Sequence, residues 1–187
     1  MSANLFRALF LMPSWIWLAI WFIPAMLVYG GPLYRGLQLA AGGQLIEEGG
    51  SSAPSDVWAL LSRLDPGQRT DYLWFQLLDL VPVLCMAGAS GLLIWRLAIR
   101  LGGATTRWRW LGLLPLCTLG AELVENSLIA SWIVAAKPPW PPAWVLQQVA
   151  TTTKFISFGL VVLILLGLSA GALARWHRLR VAREPPR

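Results

Sequence analysis

Residues 8–30 read ALFLMPSWIWLAIWFIPAMLVYG, a run of roughly 23 residues with no charged side chain. At ~1.5 Å per residue such a helix covers the ~30 Å hydrocarbon thickness of a bilayer. Pro13 and Pro24 are expected to kink it or to end a regular stretch. A secretory signal is the competing reading. Its apolar part would be too long, since such regions run ~7–15 residues, and no clear small-residue cleavage site follows.

Three further apolar runs follow, at about 71–99, 108–136 and 143–174. Only 13% of the 187 residues are charged, against about 25% in an ordinary soluble domain, and 57% are hydrophobic. Mean hydropathy is +0.60. A water-facing fold is excluded on those grounds. The expectation is all-α: a four-helix transmembrane bundle forming one domain over residues 1–175, with a basic tail at 176–187. No pattern is shared between the first and second pair of spans, so an inverted-repeat transporter gains no support.

The only sizeable hydrophilic segment is the loop at 31–70. Gly and Ser gather at 42–52 and read as flexible chain. Within the loop, SDVWALLSRL forms a short amphipathic helix. Ser55 is its expected N-cap, and Val57, Leu60, Leu61 and Leu64 share one face. That face would lie flat on the membrane or lid the bundle. Asp65-Pro66-Gly67 reads as a turn, and KPPWPPAW between the last two spans cannot continue a helix.

Orientation follows from counting cations by side. Arg7, Arg96, Arg100, Arg107, Arg109, Arg175, Arg178, Arg180, Arg183 and Arg187 fall on one side, and Arg35, Arg63, Arg69 and Lys137 on the other. Ten against four puts both termini in the cytoplasm and the 31–70 loop outside. Trp95, Trp108, Trp110 and Trp176 would mark the inner interface, and Trp74, Trp132, Trp140 and Trp144 the outer one.

A net charge of +6 invites a nucleic-acid reading, but the arginines flank apolar spans instead of forming a basic stripe, so lipid headgroups are the expected partners. Cys85 and Cys117 sit within apolar spans, and the only histidine, His177, lies in the tail. No metal site, disulfide framework or cofactor motif is indicated.

Four ionisable residues interrupt the apolar spans: Asp79, Glu122, Glu125 and Lys154. Placing Asp or Lys at a helix centre costs roughly 2.5–3.5 kcal/mol on insertion scales, a cost accepted where partners or function compensate. Counting ~1.5 Å per residue from the outer span ends puts Asp79 ~12 Å deep, Glu125 and Lys154 ~16 Å and Glu122 ~21 Å. All four converge in the outer half of the bilayer. Glu122, Glu125 and Asn126 share one helical face, which Thr118 continues. Gln76 stands one turn before Asp79, Pro82 frees the carbonyl of Leu78, and Thr151, Thr152 and Thr153 lead into Lys154. Lys154 should pair with one or two carboxylates, most simply Glu125, in a pocket opening outward.

Polar clusters also lock helices together through hydrogen bonds worth ~1 kcal/mol or less each. A scaffold, however, needs one ion pair and has little use for a third carboxylate. Gly159, Gly167 and Gly171 on one face of the last span, and Ala87 with Gly91 on the second, read as helix-packing positions. Trp15, Trp17 and Trp21 read as packing or lipid contact ahead of a ligand pocket.

The runs GQRTDYLWFQLLDLVPVL, LLPLCTLGAELVENSLI and TTTKFISFGLVVLILL resemble three signature stretches of an uncharacterised bacterial family of small four-span integral membrane proteins. The resemblance covers most of residues 64–170. It carries an R-x-x-Y element at Arg69 and Tyr72, the Asp79 and proline pair, the D/E-x-x-E-N stretch at Glu122, Glu125 and Asn126, and Lys154 opening the last span. Glu122 stands where the family has Asp, and Pro82 follows Asp79 by three residues where the family spacing is four. The resemblance implies a shared site and the bacterial inner, or plasma, membrane. It supplies no reaction.

Three functions compete. One is an enzyme or binding protein for a lipid-like substrate, with Asp79, Glu122, Glu125, Asn126 and Lys154 as the candidate cluster. Another is a proton- or cation-linked transport component, which with so few spans would have to form a homo-oligomer. The third is a structural or assembly subunit of a larger membrane complex.

Overall fold

The computed structural model describes residues 14–43, 45–46, 53–103 and 106–181, with the side chains at 14, 15, 17, 18, 21 and 179–181 undescribed. The start of the first expected span with Pro13, the side chains of Trp15, Trp17 and Trp21, most of the Gly/Ser-rich stretch and the end of the basic tail therefore lie outside the described residues.

Six α-helices and one 3₁₀ helix make up the described residues, with no strand among them. They are α1 (Ser14–Tyr29), α2 (Pro32–Ala41), α3 (Pro54–Arg63), α4 (Pro66–Gly102), the 3₁₀ helix (Arg107–Leu113), α5 (Pro115–Ala135) and α6 (Pro141–Val181). Three stretches are long and apolar enough to cross a membrane: Pro66–Gly102, Arg107–Ala135 and Pro141–Arg178. They coincide with the second, third and fourth expected spans. The outward faces of these helices carry exposed Leu77, Val81, Leu84, Leu123, Leu160, Leu163 and Leu166, the residue types that lipid tails accept.

Local chemistry sets the ends. Asp65 and Gln68 form a reciprocal capping box: the Gln68 N–H donates to Asp65 Oδ1 (2.8 Å) and the Asp65 N–H to Gln68 Oε1 (2.9 Å). With Pro66 at the first helical position, the Asp-Pro-Gly segment expected as a turn instead starts α4, five residues before the apolar run. Pro24 and Pro82 both lie inside continuous helices. At the other end of α4, Arg175 Nη1 donates to the carbonyls of Arg100 (2.6 Å) and Leu101 (3.0 Å), meeting two orphan acceptors of the helix C-terminus.

The 31–70 loop is more structured than its composition indicates. It contains α2, absent from the sequence reading, as well as the anticipated amphipathic helix α3. The N-cap of α3 is Ala53, not Ser55; Pro54 takes the first helical position, and Asp56 Oδ2 accepts from the Ala53 N–H (2.9 Å). Leu37, Leu45, Ile46, Val57, Leu61 and Leu64 bury against Tyr72, Phe75, Ile129, Trp132 and Ile133 from α4 and α5. The loop is thus a lid on one end of the bundle. Trp132, expected at the outer interface, is part of this core because the lid folds over it. Tyr72 fastens the lid, its buried hydroxyl accepting from the Ile46 N–H at 3.0 Å.

At the arginine-rich end, Gly91 of α4 meets Gly112 of the 3₁₀ helix so closely that a Cβ on Gly91 would stand 2.6 Å from the Gly112 carbonyl oxygen. Arg109 stacks over Trp95 and Trp110, 5.5 and 5.2 Å from the ring centroids. A second apolar cluster of Ile94, Val161 and Leu165 lies along the same half of the bundle. The glycine stripe on α6 departs from its expected role. Nothing lies within 4 Å of a Cβ built on Gly159 or Gly167, and only Gly171 meets a neighbour, Leu101 at 3.3 Å. Along most of its length α6 turns that face outward, and the face meets α4 only at Gly171.

Candidate functional site

The ionisable residues lie between the two apolar clusters, on helix faces that are inward-facing throughout. On α4 the buried face runs Phe75, Gln76, Asp79, Pro82 and Met86. On α5 it runs Thr118, Ala121, Glu122, Glu125, Asn126 and Ile129. On α6 Gln147, Ala150, Thr151, Ser157 and Val161 are buried with Lys154 half-buried among them. Steps of three and four residues keep each set on one side of its helix, so packing of α4, α5 and α6 drives the polar members together.

The centre is an ion triad. Lys154 Nζ stands 2.5 Å from Glu125 Oε2 and 3.2 Å from Glu122 Oε2. Both carboxylates are essentially sealed from the exterior, at 0% and 1% exposure. Glu125 Oε1 also accepts from Thr151 Oγ1 (2.5 Å) and Gln147 Nε2 (3.1 Å). These contacts replace the water lost on burial, which a buried charge requires. The Asp79 carboxyl lies beside Glu122 on the wall of the same cleft. Asp79 in turn accepts a short hydrogen bond from the Tyr29 hydroxyl at the end of α1. The result is one polar cluster: Tyr29 on Asp79, and beside them Glu122, Lys154 and Glu125 with Thr151 and Gln147. Below it Thr118 and Ser157 bond across α5 and α6 at 2.8 Å.

Asp79, Glu122, Glu125 and Lys154 are therefore in one place. Asn126 is not part of the triad. It turns toward α4, donating from Nδ2 to the Gln76 carbonyl at 3.1 Å, and not to the carbonyl of Leu78. The Asn126 Oδ1 is buried without a hydrogen-bond partner and borders a second groove with Leu77, Leu80, Leu123 and Ser127.

Beside the polar cluster is a cleft of about 270 Å³, lined by Tyr29, Tyr34, Asp79, Met86, Thr118, Glu122, Lys154, Phe155 and Phe158. It lies between α1, which packs on α4, and α6, which packs on α5 and α4. Tyr29 and Phe155, on its two sides, are exposed. The sequence reading had a pocket opening toward the outer end. The lid helices pack over that end of the bundle, with the Tyr34–Phe75 ring pair (5.4 Å) beside the cleft.

No family model, curated protein or solved structure matches this chain. The site must be read from its own chemistry.

Sequence reasoning missed Tyr29, Tyr34, Gln147, Ser157, Phe155 and Phe158. Gln147 and Ser157 carried a usable signal, since they stand seven residues before and three after Lys154 on the same face. The tyrosines carried none, because a Tyr near a span end is ordinary interface composition. Among the described residues no His, Cys, Asp and Glu side chains are grouped to hold a metal ion.

Chemically, the arrangement offers three neighbouring carboxyls, an ammonium held between two of them, and an adjoining cavity with apolar walls. That combination suits acid/base work or headgroup binding at a water-poor site.

Proposed function

We propose that this chain is a four-span protein of the bacterial inner membrane that binds, and as an enzyme would act on, a lipid-like amphiphile. Its polar head reaches the carboxyl–lysine cluster through the cleft between α1 and α6. The single observation carrying the reading is that cleft, polar on one wall and apolar on the others, next to a carboxylate triad larger than helix packing needs. A flank opening is the route by which a molecule dissolved in the bilayer would enter.

The fourth crossing in this proposal is α1. Its described length of 16 residues spans only about 24 Å, while the full uncharged run from 8 to 30 would reach about 34 Å. The arginine count supports cytoplasmic termini, and the resemblance to a four-span bacterial family accords with the same topology. The protein extracted in mild detergent should retain about one amphiphile per chain by native mass spectrometry. Asp79→Leu/Glu122→Leu should release it. If the unaltered chain sheds lipid as readily as that variant, the reading is lost.

The run of buried polar groups between Tyr29 and Gln147 favours a second reading, a proton- or cation-linked transport component acting as a homo-oligomer. Flux in proteoliposomes should then depend on Asp79 and Glu125. A structural or assembly role instead predicts that neutralising the triad lowers stability and changes neither lipid retention nor flux.

A further inference from the structure

Resting on the amphiphile reading above, we infer that the cleft between α1 and α6 selects a positively charged head: an amphiphile ending in a quaternary or primary ammonium. Two independent features of the wall point there.

The first is charge. Among the described residues Lys154 is the only cation lining the cleft, and it is already held by Glu125 at 2.5 Å and Glu122 at 3.2 Å. A phosphate head would have to displace both carboxylates and then sit against Asp79. The cluster has three carboxyls to one ammonium. Acidic groups outnumber the basic one. A single cationic head offsets that excess, and in a water-poor cleft that pairing is weakly screened.

The second is the ring set. Tyr29, Tyr34, Phe155 and Phe158 all border the cleft. Tyr29 and Tyr34 stand edge to face, centroids 5.6 Å apart at 83°, so they form a corner and not a flat wall. Aromatic faces around a cavity are the usual means of holding quaternary ammonium groups, because the ring quadrupole attracts a cation that water cannot reach. The protein's own ammonium already uses this environment: Lys154 Nζ lies 5.7 Å from the Phe155 centroid. The volume of about 270 Å³ is small for a whole ligand and suits a head alone. The chain of the amphiphile would then run along the exposed leucines of α6, such as Leu163 and Leu166.

The test compares three photoactivatable probes that share one alkyl chain with a diazirine near the head and differ only in that head: trimethylammonium, phosphate or hydroxyl. The full-length protein is labelled in dodecyl maltoside micelles, which carry no competing charge, and the labelled residues are read by mass spectrometry. The ammonium probe should label Phe155, Phe158 and Tyr34 at least about tenfold more than the phosphate probe, a ratio worth ~1.4 kcal/mol. Labelling by the phosphate or hydroxyl probe equal to or above that of the ammonium probe would overturn cation selection while leaving amphiphile binding intact. Labelling no stronger in the cleft than at Leu163 and Leu166, for every probe, would remove both. The comparison needs no altered protein. Two variants then divide the cause. Asp79→Asn/Glu122→Gln should lower ammonium labelling several-fold and leave the smaller preference that the rings supply. Tyr34→Leu/Phe155→Leu, with the carboxyls intact, should weaken the ammonium probe several-fold and leave the hydroxyl probe unchanged; an equal loss for both probes would count against the ring set.

Discussion

Glu125 accepts from Thr151, Gln147 and Lys154 while wholly excluded from the exterior, so its charge depends entirely on protein partners. Removing the cation should therefore hurt more than removing the pair. Lys154→Met leaves three neighbouring carboxyls without an ammonium, and its unfolding free energy should fall by about 3 kcal/mol, in the range for breaking a buried ion pair. Lys154→Met/Glu125→Leu should recover more than half of that loss, because the uncompensated charge goes with its partner. Reversible unfolding in mixed micelles measures both, and strict additivity of the two single losses would show that the contact carries no coupling. The residues of this triad were legible in the sequence because a charge inside an apolar run is conspicuous whatever surrounds it. Tyr29, which holds Asp79, was not. Its phenol looks the same in sequence whether it faces headgroups or a carboxylate fifty residues away.

Between elements, contact is decided by small residues and by single ties, and here the sequence misleads in both directions. Gly91 and the stripe on α6 look alike as helix-packing signals, yet only Gly91 faces backbone at close range. Gly91→Ala should cost about 1–3 kcal/mol, since neither helix can move without disturbing the Trp95–Arg109–Trp110 stack. Gly159→Ala, with open space around it, should be neutral or stabilise by up to about 1 kcal/mol through helix propensity. Thermal unfolding in detergent separates the two, and equal losses would mean that α6 packs through its glycines after all. The tie between lid and bundle runs through Tyr72. Tyr72→Phe strands the buried Ile46 N–H and should cost about 1–3 kcal/mol, seen as faster hydrogen exchange across α2 and α3 than in α4. The α2 helix, opening at Pro32 and ending at a left-handed Gly42 (φ 87°), is only ten residues long and owes its place to burial of Leu37 and Ala41 in the core shared by lid and bundle. No ten-residue window reveals that.

For the whole molecule the open quantity is the number of crossings, because it fixes which side of the membrane the lid and both termini occupy. Three long apolar helices and a shorter α1 allow two topologies. With four crossings the termini share a side; with three they are opposed. The arginine distribution separates these sharply: Arg7 belongs with the cluster at 96–109 and with the tail only if α1 crosses. The polar cluster adds an argument of its own. Tyr29 at the end of α1 reaches Asp79, thirteen residues into α4 and so about 20 Å along that helix from Pro66. A helix whose last turn meets α4 there, and which exposes Phe22, Ile23, Met26 and Leu27, would present those apolar side chains to water if it merely lay on the surface. The expected outcome is therefore cytoplasmic fluorescence from a fluorescent-protein fusion at either terminus. A cysteine at the exposed Ser62 of α3, in a Cys85→Ser/Cys117→Ser background, should react with an impermeant maleimide applied to the extracytoplasmic side. Fluorescence at the C-terminus alone would leave three crossings, put Arg7 outside, and turn α1 from a wall of the cleft into a hairpin resting against it.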